Sequence, residues 1–300
     1  MKAKKVTEIL KEKKFTFSVE LVPPRNGTPL NDIYDKIEDL KGKVDFISVT
    51  KGAGGSLRGG SLPITYFAQE RYGLTAIAHF VCRERTKQEI ENDLTDMNHF
   101  SIKNVLALRG DPPAGTKEPW NGDYRYAYLL VKQLHDLNKG IYLPTPLKNE
   151  PRKGEKCDFC ILVAGHPEDP FEEENIHIKS KVDAGAEVII TQMIFSFEDY
   201  KLYVENLRKI GIKLPVLAGI RPIVSYKQAK SVENFFGIKV PRKLKEELEK
   251  LQDDPKESRE FGISYFSDMI KNLKEYGCPG VHLFILQDFP VVDEIIEKLE

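Results

Sequence analysis

The chain has 300 residues, 41% hydrophobic and 30% charged, with a formal net charge of -1. That balance excludes a generally basic protein that coats nucleic acid, and 10% aromatic residues is too much core material for a disordered chain. A chain of this length buries roughly three quarters of its unfolded surface, and α/β barrels of this size fold as one unit, so a single domain over residues 1–300 is expected.

The opening stretch, MKAKKVTEILKEKKF, is basic but lacks the apolar core and small-residue cleavage site of a secretory signal. No apolar run approaches the roughly 20 residues that span a bilayer. Four cysteines, Cys82, Cys157, Cys160 and Cys278, are too few for a disulfide framework. A reducing, cytoplasmic location is expected, with no membrane and no nucleic-acid partner.

Strands are expected at 16–22, 45–50, 75–81, 104–109, 159–165, 187–192, 214–219 and 280–286. Runs such as NVLAL, EVIIT and PVLAG are nearly continuous in apolar residues, the pattern of parallel strands buried on both faces. Amphipathic segments lie between them. Thr86 and Glu89 form a capping-box pattern ahead of Ile90, Leu94, Met97 and Phe100. Ser196 and Asp199 open a segment carrying Tyr200, Val204 and Leu207. Gly73, Gly140, Gly185, Gly211 and Gly277 fall where helices should stop. A long helix over 258–276 puts Phe266, Met269, Ile270 and Leu273 on one face. Residues 112–124 and 148–156 read as loops, and an extra helix over 241–251 precedes the last strand.

Eight strands alternating with helices predict an α/β fold, a single (β/α)8 TIM-type barrel. The rival, an open doubly wound sheet, lacks its usual phosphate-binding signature. Gly52-Ala53-Gly54-Gly55-Ser56-Leu57 departs from GxGxxG at Leu57.

Catalytic groups of barrel enzymes sit at the C-terminal ends of the strands. Glu20 lies there among Val19, Leu21 and Val22, where a partly desolvated carboxyl titrates high enough to serve as an acid. A buried salt bridge to a neighbouring strand is the other reading. Arg109-Gly110-Asp111 is either a tight turn with an internal ion pair or a binding turn in which Gly110 admits a ligand to the backbone. The Gly-rich loop 52–60 is a lid, a flexible connection or a surface for a flat ring or phosphate. Cys157-x-x-Cys160 reads as two reduced thiols, and His79 as a satisfied core histidine unless a ligand is implied elsewhere. No metal-ligand motif occurs among the six histidines.

FTFSVELVPPR, FISVTKGAGGS, IAHFVC, NVLALRGDPP, KVDAGAEVIITQ and PVLAGIRPIVSYKQ, in this order, resemble the methylenetetrahydrofolate reductase family from about residue 15 to 286. The resemblance implies a (β/α)8 barrel holding FAD, with FMN as the smaller alternative. It also implies a ping-pong reaction in which NADH or NADPH delivers a hydride to the flavin, and the flavin reduces 5,10-methylenetetrahydrofolate to 5-methyltetrahydrofolate. Glu20 occupies the family's general-acid position. Asp111, Gln192 and Gln228 match folate-binding positions, and a planar amide that both donates and accepts suits a pterin edge. For the flavin, the resemblance points to Thr50, Ala53, His79, Arg109, Gly110, Asp111, Tyr126, Ala127, His166 and Lys181. A homo-oligomer is also expected.

Some positions depart from the family pattern. After the fifth strand the chain has only Gly165-His166-Pro167-Glu168, so His166 stands either for the family histidine or for its tyrosine. Lys51 replaces a tyrosine. Asp288 sits where some relatives carry a basic residue, and Val232 where some carry an aromatic that stacks on nicotinamide. Two rival readings follow: a redox-complex subunit that takes electrons from a partner protein, and a flavin-free barrel lyase with Glu20 as base.

Overall fold

A computed structural model describes residues 4–51, 59–111, 121–145 and 147–300. Helix α1 (Val6–Glu12) precedes β1 (Thr16–Leu21), α2 (Asn31–Leu40), β2 (Phe46–Val49), α3 (Ser61–Tyr72), β3 (Thr75–Val81), α4 (Lys87–His99), β4 (Asn104–Leu108) and α5 (Ala127–Asn138). A two-residue pair, β5 (Ile141–Tyr142) and β6 (Arg152–Lys153), comes next. Then follow β7 (Cys160–Gly165), α6 (Phe171–Asp183), β8 (Val188–Thr191), α7 (Phe197–Lys209), β9 (Val216–Ile220), α8 (Tyr226–Phe236), α9 (Arg242–Lys250), α10 (Pro255–Tyr276), β10 (Gly280–Leu283) and α11 (Pro290–Leu299).

Eight parallel strands close in the order β1-β10-β9-β8-β7-β4-β3-β2, the barrel expected from the alternation of elements. The strands match the apolar runs, trimmed by up to three residues at their ends, except that β9 runs on by one residue to Ile220. The extra helix before the last strand is α9. Thr86 caps α4 as a capping box: its Oγ1 accepts from Glu89 N at 3.2 Å, and its own N–H donates to Glu89 Oε2 at 2.8 Å. Ser196 caps α7. The long helix α10 starts earlier than its apolar face suggested, because Asp254 caps it and Pro255 occupies its first turn. The segment 148–156, expected as loop, contains β6, which pairs antiparallel with β5. Arg152 pins that ribbon through Nε to Leu143 O at 2.7 Å.

Alternation along the strands builds two cores. Outward residues such as Val19, Leu21, Ala78, Val105, Ala218 and Ile220 pack under the helices. Inward residues Phe46, Ile77, Leu106, Cys160, Leu162, Val188, Ile190 and Leu217 fill the lower barrel, closed from below by Val6 and Ile9 of α1. Above this apolar floor the inward positions turn polar: Ser18 and Glu20 on β1, Ser48 on β2, His79 on β3, His282 on β10. A polar mouth over a dry floor is the frame for the site.

Asn104, fully buried on β4, ties the plug to the barrel. Its Oδ1 accepts from Val6 N at 2.8 Å, and its Nδ2 donates to Lys4 O at 3.0 Å. Asn104→Leu leaves Val6 N–H and Lys4 C=O without this partner and should cost about 2–4 kcal/mol. Urea unfolding measures this; a loss under about 0.5 kcal/mol would show that the plug is held by apolar contacts alone.

Candidate functional site

Parallel register sets the mouth. Ser18 is level with His282, Glu20 with Ser48, and Ser48 with Ile77, so the next inward residue of β3 is His79. A hydrogen-bond chain crosses these strands. Ser18 Oγ donates to Val281 O at 2.9 Å and lies 2.9 Å from His282 Nδ1. His282 Nε2 lies 3.0 Å from Ser48 Oγ, which lies 3.1 Å from His79 Nε2.

The carbonyl of Val281 can only accept, and this fixes every proton in the chain. Ser18 spends its proton on that carbonyl, so His282 must donate from Nδ1. His282 Nε2 is then the acceptor for the Ser48 hydroxyl, and Ser48 in turn accepts from His79 Nε2–H. Both rings are neutral. Burial pushes His79 and His282 down to about 3, and for His79 the neighbouring His282 adds to the effect.

Glu20 sits at the open end of this chain, with Oε2 3.5 Å from His79 Nε2. The histidine is neutral and the distance exceeds a normal hydrogen bond, so this is not the buried salt bridge that the strand pattern also allowed. Burial alone pushes the Glu20 carboxyl up to about 8. The site therefore holds a protonated carboxylic acid at neutral pH, beside two imidazoles that do not compete for its proton.

Thr50 and His79 are both buried at the mouth, 6% exposed each. Arg109 and Asp111 are exposed at the end of β4. Gly110 has φ +91°, and a Cβ there would fall 2.3 Å from Val81 Cγ1, so packing alone requires glycine at this turn. Ala53 lies outside the described residues. Tyr126 and Ala127 form the start of α5, which has no side-chain cap, and Tyr126 stacks on Tyr128 at 6.0 Å. His166 bonds Glu168 Oε1 at 3.0 Å. Lys181 is 9% exposed and donates to Ala164 O at 2.8 Å. Burial pulls its ammonium below the ordinary lysine range; Glu174 opposes the shift and Arg109 adds to it.

The two glutamines differ from expectation in their chemistry. Gln192 Oε1 accepts from Met193 N at 3.0 Å, and Gln228 Oε1 accepts from Val224 N at 2.8 Å. A backbone N–H fixes which end of each amide is the oxygen and occupies one of its lone pairs, which leaves the NH2 to donate. Cys157 and Cys160 face different cores, the helix layer and the barrel interior, and present no common face for a ligand. Val232 is fully buried in the helix layer. Asp288 is held bidentately by Arg259 at 2.9 and 3.0 Å. Ser18, Ser48 and His282 were not singled out in the sequence, although polar residues two apart in apolar strands are the signal that marks them.

A family model described as methylenetetrahydrofolate reductase matches residues 5–300. Methylenetetrahydrofolate reductase 1 of Schizosaccharomyces pombe is 30% identical over 298 residues, covering 96% of this chain and 46% of the yeast protein. Methylenetetrahydrofolate reductase (NADH) 1 of Arabidopsis thaliana is 28% identical, with 94% and 48% covered. The chain thus spans about half the length of these relatives. 5,10-Methylenetetrahydrofolate reductase of Escherichia coli is 30% identical over 275 residues, covering 90% of this chain and 85% of the bacterial protein. Among solved structures, a Clostridium thermocellum protein described as binding two copies of 5-methyl-5,6,7,8-tetrahydrofolic acid shares the fold, with TM-score 0.60, 15% identity and 98% of each chain covered.

The hydrogen-bond chain makes acid stability depend on His282. Its ring titrates near 6.5 when unfolded and near 3 when folded, so its contribution is full above 6.5 and is lost as pH falls toward 3. The stability gap between wild type and His282→Gln should narrow by about 1.4 kcal/mol per pH unit across that window. Urea unfolding at several pH values measures the gap; parallel curves would refute a buried neutral His282.

Proposed function

The chain belongs to the methylenetetrahydrofolate reductase family, and from that premise we propose that it reduces 5,10-methylenetetrahydrofolate to 5-methyltetrahydrofolate, using a bound flavin and a reduced nicotinamide. The observation that carries this reading is Glu20, a carboxyl that keeps its proton up to about pH 8 at the mouth of the barrel. Opening the five-membered ring of the substrate requires a proton on the departing N10. An acid with a pKa near the working pH is suited to give it. The neutral His79, whose Nε2–H is given to Ser48, does not take the proton from the acid.

The residues present fit a flavin. Arg109 and the buried Lys181 lie close enough for one charge to depress the other: Arg109 follows β4, and Lys181, on α6, reaches Ala164 O of the adjacent strand β7. Two cations that feel one another's charge suit a phosphate group. Thr50 and His79 line the mouth where the ring system would lie. We assign FAD on the family resemblance. A flavin, when bound, supplies the two-electron carrier between nicotinamide and folate. The chain's own residues bind it, shelter the acid and orient the pterin, with Asp111 accepting from the ring's amino edge and Gln192 and Gln228 donating to its acceptors. The nicotinamide donor follows the NADH named for the Arabidopsis relative.

Glu20→Gln keeps the shape and removes the proton. Folate turnover should fall by about 10²–10⁴-fold. The flavin spectrum and the bleaching of the flavin by NADH or NADPH should stay near wild type, both read by stopped-flow absorbance. Folate turnover within about tenfold of wild type would exclude Glu20 as the acid.

A further inference from the structure

Arg221 follows β9 directly and is 9% exposed. Alternation along β9 continues through Leu217 and Gly219 to Arg221, which puts it on the inward side. Register places it in the same row as Glu20. Val19 is level with Leu283 and Leu283 with Ile220, so the next residues, Glu20, Phe284 and Arg221, run across three adjacent strands. Strands lie about 4.8 Å apart, so the Glu20 and Arg221 backbones are about 10 Å from each other.

Two nitrogens of this guanidinium, Nε and Nη1, are buried and have no hydrogen-bond partner. No described carboxylate forms an ion pair with it, and burial alone pulls its pKa down. Phe284 explains why Glu20 does not serve as partner. A Cβ on Gly219 would fall 2.7 Å from Phe284 Cε2, so the bare glycine admits that ring to the interior, in the strand between the two groups. A buried, unpaired guanidinium is costly unless something else satisfies it.

Its neighbours show what that something is. Gln228, seven residues on, folds its oxygen back on Val224 N and has its NH2 to donate. Gln192, directly after the adjacent strand β8, engages its oxygen with Met193 N in the same way. The β8–β9 side of the mouth is thus rich in donors: two amide NH2 groups and a guanidinium fork. Its ligand must offer acceptors there.

We propose that Arg221 is a substrate-binding residue whose guanidinium grips the oxo edge of the reduced pterin ring. The inference rests on the folate reading above. The ring suits it because its amino edge donates while its oxo edge accepts, which matches Asp111 on one side and the donor wall on the other. Depth in the mouth favours the ring over the glutamate tail, whose carboxylates are the other source of acceptor oxygens.

The test uses the full-length, flavin-loaded protein with Arg221→Met, which removes the charge at similar length, and Arg221→Lys, which keeps the charge without the fork. Calorimetric titration with 5-methyltetrahydrofolate should show binding weakened about tenfold or more in Arg221→Met, with Arg221→Lys in between. Without folate, Arg221→Met should melt at or above the wild-type temperature, because a buried unpaired charge has gone. A merely structural arginine would lower it. The same fold-loss should be seen with 5,6-dimethyltetrahydropterin, which has the ring and no benzoylglutamate. Unchanged affinity in both variants overturns the proposal. A lower melting temperature with unchanged affinity assigns Arg221 to the fold. A loss with the full folate but none with the pterin assigns it to the tail and overturns the ring contact. Failure of wild type to bind either compound overturns the folate reading itself, and this proposal with it.

Discussion

One backbone carbonyl that can only accept sets the protonation of the whole barrel mouth. Val281 O takes the Ser18 proton, and from there each donor and acceptor through His282, Ser48 and His79 has a single assignment. The chain ends at His79, whose neutral ring lies 3.5 Å from Glu20 and brings it no positive charge. If either histidine were charged, the carboxyl would ionise to meet it and could not donate. The apolar floor of Phe46, Ile77, Leu106 and Leu217 lies below, and Phe284 stands between the acid and Arg221. Desolvation thus raises the carboxyl and lowers the imidazoles together, and the fold supplies it by alternating apolar and polar residues within the same strands.

Much of this was legible in the sequence. The nearly continuous apolar runs read as strands because a parallel barrel buries both faces, and glycine stops and side-chain caps separated them correctly. Glu20 and His79 were legible as polar residues near strand ends. His282 was not, because a lone histidine in an apolar strand is usually core, and its role depends on a register that only the closed barrel provides. Arg221 was hidden for a related reason: it follows PVLAG by two residues, and only the inward sense of the alternation shows that it is buried. The orientation of Gln192 and Gln228 was also beyond the sequence. Each amide is turned by a backbone N–H that appears only once the loop after its strand has formed.

The departures from the family pattern separate in the same way. Asp288 is engaged by Arg259, which also bonds Glu294, so its acidity serves the packing of α10 against α11. Val232 is core on α8. Lys51 remains at the mouth, where burial and the neighbouring Arg85 pull its pKa down, and its ammonium lies 5.8 Å from the Phe80 ring. Arg109, Lys181 and Arg221 also follow or face strand ends of the barrel, as suits ligands that bring phosphates and carbonyl oxygens.

The protonation state of Glu20 carries the account, and infrared difference spectroscopy reads it directly. The spectrum of wild type minus Glu20→Gln isolates the C=O stretch of the protonated carboxyl. The account predicts that this band is present at pH 7 and disappears with a midpoint near 8. A band that is absent at pH 7, with its midpoint near the ordinary glutamate value of 4.5, would contradict it.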